Sequence, residues 1–188
     1  DLVTDFGDPP GGLSAACTAP IVSPLTHLRL IAVGGPEAAV FLHNQVTSDI
    51  KHLATDAAQH SAWCSAKGRM LASFLVFRSG ADYHLQLSAD LLATIVKRLQ
   101  MFVLRSKVTI ADLSGSREIL GLSGPHAAAA LQAVGLPVPG EPLHTAVCGT
   151  GLVVRLDSAR FEIVVDTDAA VALWRGLSAA ARPVGSGV

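Results

Sequence analysis

The chain has 188 residues, half of them hydrophobic and 15% of them charged, with a formal net charge of −1. This length allows one large domain or two small ones with a well-buried core, and the charge balance argues against tight binding of DNA or RNA. The longest apolar run is far shorter than the ~18 residues that span a bilayer, so we expect no membrane association. The apolar excess predicts either a large core or a surface that a partner or further domains cover.

Cysteine and histidine usage indicates a reducing compartment and no metal site. The three cysteines, Cys17, Cys64 and Cys148, lie far apart without C-x-x-C spacing, and the seven histidines are equally dispersed. No secretory leader is visible at the start, so we expect a cytoplasmic protein. Because the chain begins with Asp1 rather than Met, we expect it to be a segment of a longer protein.

Hydrophobic periodicity predicts alternating strands and helices in the first half of the chain. In chain order these are a strand over 28–33, a helix with Pro36 at its first position, strands over 59–64, 69–77 and 83–87, and a helix over 90–99. The last helix carries one apolar face at helical spacing, formed by Leu91, Leu92, Ile95, Leu99 and Phe102. Ser88 is its expected N-cap.

The second half repeats this order of elements. Residues 124–131 match residues 35–42 at five of eight positions, and each segment follows a strand-like run. The remaining predicted elements are strands over 118–122, 144–148, 152–156 and 161–165 and a helix over 168–177. Two matched pairs of elements in the same order indicate an internal duplication.

These elements predict an α+β fold with mainly antiparallel sheets and helices packed on them. The predicted organisation is an N-terminal extension over 1–24, a first subdomain over 25–113 and a second subdomain over 114–188. A crossover is expected at 113–117 and a loop at 137–142. The two subdomains are expected to share a core and to act as one functional domain.

Motifs for nucleophilic or nucleotide chemistry are absent from the sequence. It contains no G-x-S-x-G elbow, no P-loop lysine pattern and no G-x-G-x-x-G. The turn-rich stretch over 7–12 has neither a strand before it nor a helix after it in the needed arrangement. No catalytic residue is therefore assigned.

A polar cluster follows the first repeat's helix and is the first candidate binding site. The side chains of Gln45, Thr47 and Asp49 offer hydrogen bonds to a heterocycle, with Asp49 accepting from amino or ring N–H groups. A helix end that runs into a Thr/Ser/Asp turn explains the same residues without a ligand. The equivalent place in the second repeat, 132–135, lacks this polarity.

Two groups of cations are the other candidates. Lys67, Gly68 and Arg69 predict either a solvated hairpin turn or a small anion site, where glycine lets the backbone approach a carboxylate or phosphate. A second group, an anion or partner patch, lies on and after the long helix and consists of Lys97, Arg98, Arg105 and Lys107. Its simpler role is a favourable position at a helix C-terminus.

Four segments, taken together, resemble the YgfZ branch of the folate-binding proteins related to the glycine-cleavage T-protein, an aminomethyltransferase. They are residues 28–42, Gln45-Val46-Thr47-Ser48-Asp49, the turn Lys67-Gly68-Arg69-Met70, and Leu104-Arg105-Ser106-Lys107-Val108. The resemblance covers roughly residues 25–185. It implies two interlocked, ferredoxin-like subdomains, followed in family members by a barrel-like C-terminal part with a Lys-Gly-Cys-x-x-Gly-Gln-Glu signature.

The resemblance also implies a site for tetrahydrofolate or a related folate. It assigns folate binding to Gln45, Thr47, Asp49, Lys67, Gly68, Arg69 and Ser73. In the aminomethyltransferases the strand after the glycine turn carries paired aspartates, and the matching positions here are Ala72 and Ser73. Neither side chain acts as a general base at neutral pH, so aminomethyl transfer is expected to be lost.

The function that this resemblance implies is a folate-binding accessory role in iron–sulfur cluster assembly or repair, with an indirect effect on tRNA modification. Expected partners are folate and iron–sulfur enzymes or cluster-assembly proteins, without direct nucleic-acid contact. One alternative is a folate-dependent aminomethyltransferase or demethylase with Asp49 or Asp82 as base. Another is a protein-interaction module that binds no small molecule.

Overall fold

The computed structural model describes residues 5–149 and 151–185 and divides the chain into two compact units. One, here the central unit, is Leu28–Gly115; the other, the terminal unit, combines the residues up to His27 with those from Ser116 onward. None of the helices in the described ranges is long and apolar enough to cross a membrane. Residues 5–24, the described part of the predicted N-terminal extension, are grouped with the second half of the chain.

Eleven strands and five α-helices are found in the described residues. The first elements are α1 (Pro9–Thr18), β1 (Ile21–Pro24), β2 (Leu28–Gly34), α2 (Ala38–His43), β3 (Ala58–Cys64), β4 (Met70–Ser79) and β5 (Asp82–Ser88). A 3-10 turn, Ala89–Leu91, then leads into α3 (Leu92–Val103) and β6 (Thr109–Asp112). The last elements are β7 (Arg117–Ser123), α4 (Ala127–Ala133), β8 (Thr145–Cys148), β9 (Gly151–Arg155), β10 (Arg160–Asp166), α5 (Thr167–Ala180) and β11 (Arg182–Pro183).

The central unit is a five-stranded sheet in the order β3-β4-β5-β2-β6, and every neighbouring pair is antiparallel. Its core forms where apolar side chains of α2 and α3 pack on one face of the sheet; members include Phe41, Leu42, Ile95, Leu99 and Phe74. The register sets Trp63 of β3 opposite Ala72 of β4. This confirms the predicted α+β class for the unit that carries all the candidate site residues.

The terminal unit is a six-stranded sheet in the order β11-β1-β7-β10-β9-β8. The short pair β1–β11 is parallel and the other neighbouring pairs are antiparallel. Helices α4 and α5 supply Leu131 and Leu177 to a core with Phe161 and Ile163 of β10. This sheet therefore has the same antiparallel character as the first.

The strand orders confirm the internal duplication. Each repeat runs strand, helix, three strands, helix, strand, and in each sheet the first of these strands pairs with the fourth. The last strands of the two repeats differ. In the central unit, β6 pairs antiparallel with β2, whereas in the terminal unit β1 takes the place beside β7 and β11 pairs with β1. The duplication is thus visible in topology as well as in sequence.

The glycine at the start of each repeat's turn has a positive φ, which favours glycine over other residues. Gly35 and Gly124 have φ of +105° and +97°, and each carbonyl accepts the N–H of the residue three positions on. A Cβ at Gly35 would meet the carbonyl oxygen of Lys107 in the same unit. Because of this turn the helix begins at Ala38 and not at Pro36, so the predicted proline at the first helical position is wrong.

Two further expectations need correction. The stretch over 7–12, predicted to lack a following helix, lies at the start of α1, where Asp8 caps the helix by accepting the Gly11 N–H at 3.1 Å. Proline near the first helical position favours that start, and this signal was overlooked. Ser88 does precede the 3-10 turn, but its side chain makes no capping hydrogen bond.

A first prediction concerns Gly35. Substitution Gly35→Ala forces a side chain into a positive-φ turn and against the Lys107 carbonyl, so we expect a loss of unfolding free energy above the ~1–2 kcal/mol typical of left-handed backbone alone. Urea unfolding followed by circular dichroism measures this loss. Gly68 has φ of +75° and nothing within 4 Å of a new Cβ, so Gly68→Ala measures the cost of the positive φ without a steric clash. Gly115→Ala has neither a positive φ nor a clash and is the matched control. Equal stability of the three variants would contradict this account.

Candidate functional site

The polar cluster after α2 lies along the free edge of strand β3. The Thr47 N–H donates to the Ala62 carbonyl at 2.9 Å, and the Ala62 N–H donates to the Thr47 hydroxyl at 3.0 Å. The Ser48 hydroxyl donates to that of Ser61 at 2.8 Å. The two bonds of Thr47 satisfy the backbone groups of Ala62, which an edge strand would otherwise expose. The Thr47 hydroxyl, predicted to bind folate, is therefore engaged in holding the edge.

Gln59 extends the same edge contact toward Asp49. Its side-chain amide donates to the Ser48 hydroxyl and to the Asp49 carbonyl, both at 3.1 Å. Gln45 differs from its neighbours because its half-buried side chain lines a depression of about 310 Å³ with Phe102 and Ser106. In the polar cluster, Thr47 and Ser48 therefore cover the edge of β3, whereas Gln45 lies beside a cavity.

Asp49 is the acid of a small cluster with two histidines. One carboxylate oxygen lies 2.7 Å from His52 Nδ1, and the other accepts the Lys51 N–H at 3.1 Å. His43 Nδ1 lies 3.3 Å from the carboxylate without hydrogen-bond geometry. The His52 hydrogen bond is the main reason that the pKa of Asp49 lies below its usual range. At neutral pH the carboxylate is therefore ionised and able to accept hydrogen bonds.

Lys67, Gly68 and Arg69 form the tip of the β3–β4 hairpin. The Gly68 N–H donates to the Ser65 carbonyl at 2.9 Å, and the Arg69 N–H donates to the Ser65 hydroxyl at 3.1 Å. Gly68 supplies the positive φ that the turn needs. The Lys67 and Arg69 side chains are exposed, and no ion pair of theirs occurs among residues 5–149 and 151–185.

Ala72 and Ser73 lie on opposite faces of β4. Ala72 is 3% exposed and belongs to the core beneath α2 and α3, whereas Ser73 is exposed on the other face. This follows from the two-residue repeat of a strand. Of the pair matched to the T-protein aspartates, only Ser73 is therefore open to a ligand. Gln45, beside Phe102, is associated with the helical side of the sheet.

The predicted anion or partner patch divides between helix α3 and the loop after it. Lys97 and Arg98 are exposed in the middle of α3, and the last turn of that helix contains no basic residue. Their expected placement at a helix C-terminus is therefore wrong. They line a depression of about 700 Å³ together with Ser65 and Ala66 of the hairpin.

Arg105 and Lys107 follow α3 and meet the first repeat's turn. Glu37 accepts the Lys107 N–H at 2.6 Å, and Arg105 lines a depression of about 720 Å³ with Glu37 and Phe102. Phe102 is common to this depression and to the two described above. It was predicted to belong to the buried face of α3, but it is 51% exposed.

The partners that organise these residues carry little signal in the sequence. The histidines are dispersed in the sequence, but an aspartate side chain can hydrogen-bond groups two or three residues on in a turn, as Asp49 does with Lys51 and His52. Among the described residues, no group of three or more histidine, cysteine or acidic side chains has the geometry to hold a metal ion. Glu37 and Trp63 carried no sequence signal, because their contacts depend on the tertiary fold.

Comparison with known proteins assigns the chain to a family. The GCVT N-terminal domain matches residues 15–138, and the chain belongs to that family. It is 31% identical over 167 residues to the tRNA-modifying protein YgfZ of Klebsiella pneumoniae, covering 86% of this chain and 50% of the relative. It is 28% identical over 176 residues to an aminomethyltransferase of Shouchella clausii, covering 86% and 47%. The expected kinship with YgfZ and the T-protein is thereby confirmed.

Solved structures support the fold. The glycine-cleavage aminomethyltransferase T of Bartonella henselae matches with a TM-score of 0.85 at 22% identity, covering 94% of this chain and 51% of that one. A heterotetrameric sarcosine oxidase from Corynebacterium sp. U-96 matches with a TM-score of 0.63 at 15% identity, covering 90% and 89%. The chain spans about half the length of the curated relatives it matches.

A second prediction concerns the Asp49–His52 pair. Substitution His52→Ala removes the main group that lowers the pKa of Asp49, so that pKa should rise toward its ordinary value, which carboxyl-detected NMR titration can follow. Because the folded-state pKa is depressed, the pair contributes stability above the ordinary pKa near 4, and this contribution is lost as pH falls through the lowered value. His27→Ala is the matched control. An unchanged Asp49 titration in His52→Ala would contradict the assigned contact.

A third prediction compares the two faces of β4. Ala72→Asp places an unpaired carboxylate in the core and should lower the free energy of unfolding by about 3 kcal/mol or more. Ser73→Asp places it in solvent and should change stability by only about 0.5 kcal/mol. Urea unfolding of both variants is the measurement. Similar losses in the two would show that the strand alternation is misassigned.

Proposed function

We propose that this chain is the folate-binding part of a YgfZ-like accessory protein that lacks aminomethyl transfer activity. The family and the relatives named YgfZ and aminomethyltransferase support a folate site. The observation that carries the loss of transfer chemistry is on β4: Ala72 is buried in the core and Ser73 is the exposed member of the pair. No carboxylate is available at the position where the T-protein resemblance requires one.

The exposed candidate residues fit the chemistry of a folate. A pterin ring offers N–H donors that an ionised carboxylate accepts, and Asp49 is ionised at neutral pH. A folate also carries a glutamate with negative carboxylates, for which Lys67 and Arg69 are cations without an ion pair in the described ranges. We therefore propose Asp49, Ser73 and the hairpin tip 67–69 as folate contacts, with Thr47 holding the edge strand behind them. Gln45, predicted from the sequence to bind folate as well, lies on the helical side of the sheet, opposite Ser73, and is left out of these contacts.

The alternative of a folate-dependent transferase or demethylase finds less support. It needs a base, and Asp49 was the first candidate. An effective general base has a pKa near the working pH, whereas the His52 hydrogen bond moves the pKa of Asp49 further below that range. Asp49 is therefore better suited to binding than to proton abstraction.

The accessory role in iron–sulfur enzyme maintenance rests on the YgfZ resemblance. We propose that the folate-loaded protein supports iron–sulfur enzymes or cluster-assembly proteins, and through such enzymes tRNA modification. Its test is complementation, with the complete protein that contains this chain expressed in a strain without its own YgfZ, and with tRNA thio-modification as the measurement. Failure of a folded, folate-binding protein to restore modification would reject this part alone.

A fourth prediction tests folate binding directly. Titration of tetrahydrofolate into the full 188-residue chain by calorimetry should give saturable binding. Asp49→Asn and the double variant Lys67→Ala/Arg69→Ala should each weaken the Kd about tenfold, since each removes a charged contact worth about 1.4 kcal/mol. Arg175→Ala, an exposed helical arginine of the terminal unit, is the matched control.

Two outcomes would count against the proposal. Binding that is absent at millimolar ligand would reject the folate site in this chain. Binding that the control weakens as much as the site variants would reject the assigned residues. Folate-dependent demethylation of an N-methylated amine, abolished by Asp49→Asn, would favour the enzymatic alternative.

A further inference from the structure

The surface around Phe102 combines exposed apolar side chains with three depressions. Phe102 lines all three, which have volumes of about 720, 310 and 700 Å³. Four exposed apolar side chains make up what we call the Phe102 surface: Val40, Met101, Phe102 and Leu104. Monomeric proteins rarely group large exposed apolar side chains in this way, and such groups mark interaction sites.

The Phe102 ring is held in place from below. It meets the buried indole of Trp63 edge to face, with ring centroids 5.7 Å apart and an interplanar angle of 79°. A ring fixed in this way loses little side-chain entropy when a partner covers it. This arrangement favours Phe102 as an anchor of binding.

Leu104 adds a second, independent observation. Its φ is +45°, a conformation that is an outlier for a bulky residue, and its side chain is 87% exposed. Strained backbone persists at sites where it contributes to function. Burial of the Leu104 side chain within the central unit does not compensate for the energetic cost of this backbone conformation.

The edge of the Phe102 surface is positively charged. Lys97 and Arg98 border it on α3, and Arg105 borders it on the following loop. One acid, Glu37, lines two of the depressions and accepts the Lys107 N–H, so three cations and one carboxylate border the surface. Nine basic and six acidic side chains give Leu28–Gly115 a formal charge of +3, while five and nine give the rest of the chain −4. The net charge of −1 therefore conceals a basic central unit.

We propose that the Phe102 surface docks an acidic amphipathic helix of a partner protein. Apolar side chains at i, i+3, i+4 and i+7 of such a helix would fill the depressions beside Phe102. Its glutamates and aspartates would face Lys97, Arg98 and Arg105, which gives charge complementarity. The hairpin that carries Lys67 and Arg69 also lines one of these depressions, through Ser65 and Ala66. The docking test is therefore made without folate, and its outcome does not decide whether folate binds.

The side chains favour a protein over a nucleic acid. Stacking of bases on aromatic rings is the usual source of affinity for single-stranded RNA. Phe102 is the single aromatic ring of this surface, and the other three members are aliphatic or thioether side chains. Aliphatic side chains gain from apolar burial, which a partner helix provides.

The test uses fluorescence anisotropy with the full 188-residue chain and a labelled synthetic helix of about 18 residues, built from leucines on one face and glutamates on the other. We expect saturable binding that weakens with added salt. Phe102→Ser and Lys97→Glu/Arg98→Glu should each weaken the Kd about tenfold or more. A helix with lysines in place of the glutamates should bind the Lys97→Glu/Arg98→Glu variant better than it binds the original chain.

Matched controls come from helix α5 of the terminal unit. Val171 is exposed and apolar, and Arg175 is exposed and basic, so Val171→Ser and Arg175→Glu should change the Kd less than about twofold. Melting temperatures confirm that each variant is folded.

Four results would overturn the proposal. The first is that the acidic helix does not bind, and the second is that the α5 control variants weaken its binding as much as the Phe102 surface variants do. The third is that a peptide of the same composition in scrambled order binds equally well. The fourth is that tRNA binds more tightly than the helix and that this binding also depends on Phe102. Concentration-dependent dimerisation that Phe102→Ser abolishes, together with loss of peptide binding in the dimer, would assign the surface to a second copy of the chain instead.

Discussion

The register between β3 and β4 determines most of what the central unit presents to its surroundings. By setting Trp63 opposite Ala72, it directs these two side chains into the core and leaves Ser73 on the opposite face. The same indole then supports Phe102 from below. A slip of one residue would exchange the two faces, so both the candidate folate site and the Phe102 surface depend on this pairing.

Periodicity was sufficient to predict the regular elements, because the spacing of apolar residues along an antiparallel strand or an amphipathic helix marks its buried face. Strands β2 to β5 and the buried positions Leu92, Ile95 and Leu99 follow the expected pattern. Two short edge strands did not: β6 has one half-buried residue among exposed ones, and β11 has two residues. Their pairing is decided by the rest of the sheet.

The site was harder to predict than the fold, since residue type does not reveal which polar groups are already engaged. Thr47 and Asp49 look alike as ligand candidates in the sequence. In the structure, the Thr47 hydroxyl accepts a strand N–H, while Asp49 keeps an exposed carboxylate whose pKa the His52 hydrogen bond lowers. Phe102 fits the helical period of α3 and is nonetheless half exposed, because the helix ends at Val103 and turns away at Leu104.

A folate site without a carboxylate on β4 is the central claim, and chemical-shift mapping tests it most directly. Tetrahydrofolate titrated into the isotope-labelled chain should shift the amide signals of Asp49, Arg69 and Ser73 together, with a single saturation curve. The signals of α5, in the terminal unit, should stay unchanged. Shifts confined to other residues, or none at saturating ligand, would contradict the claim.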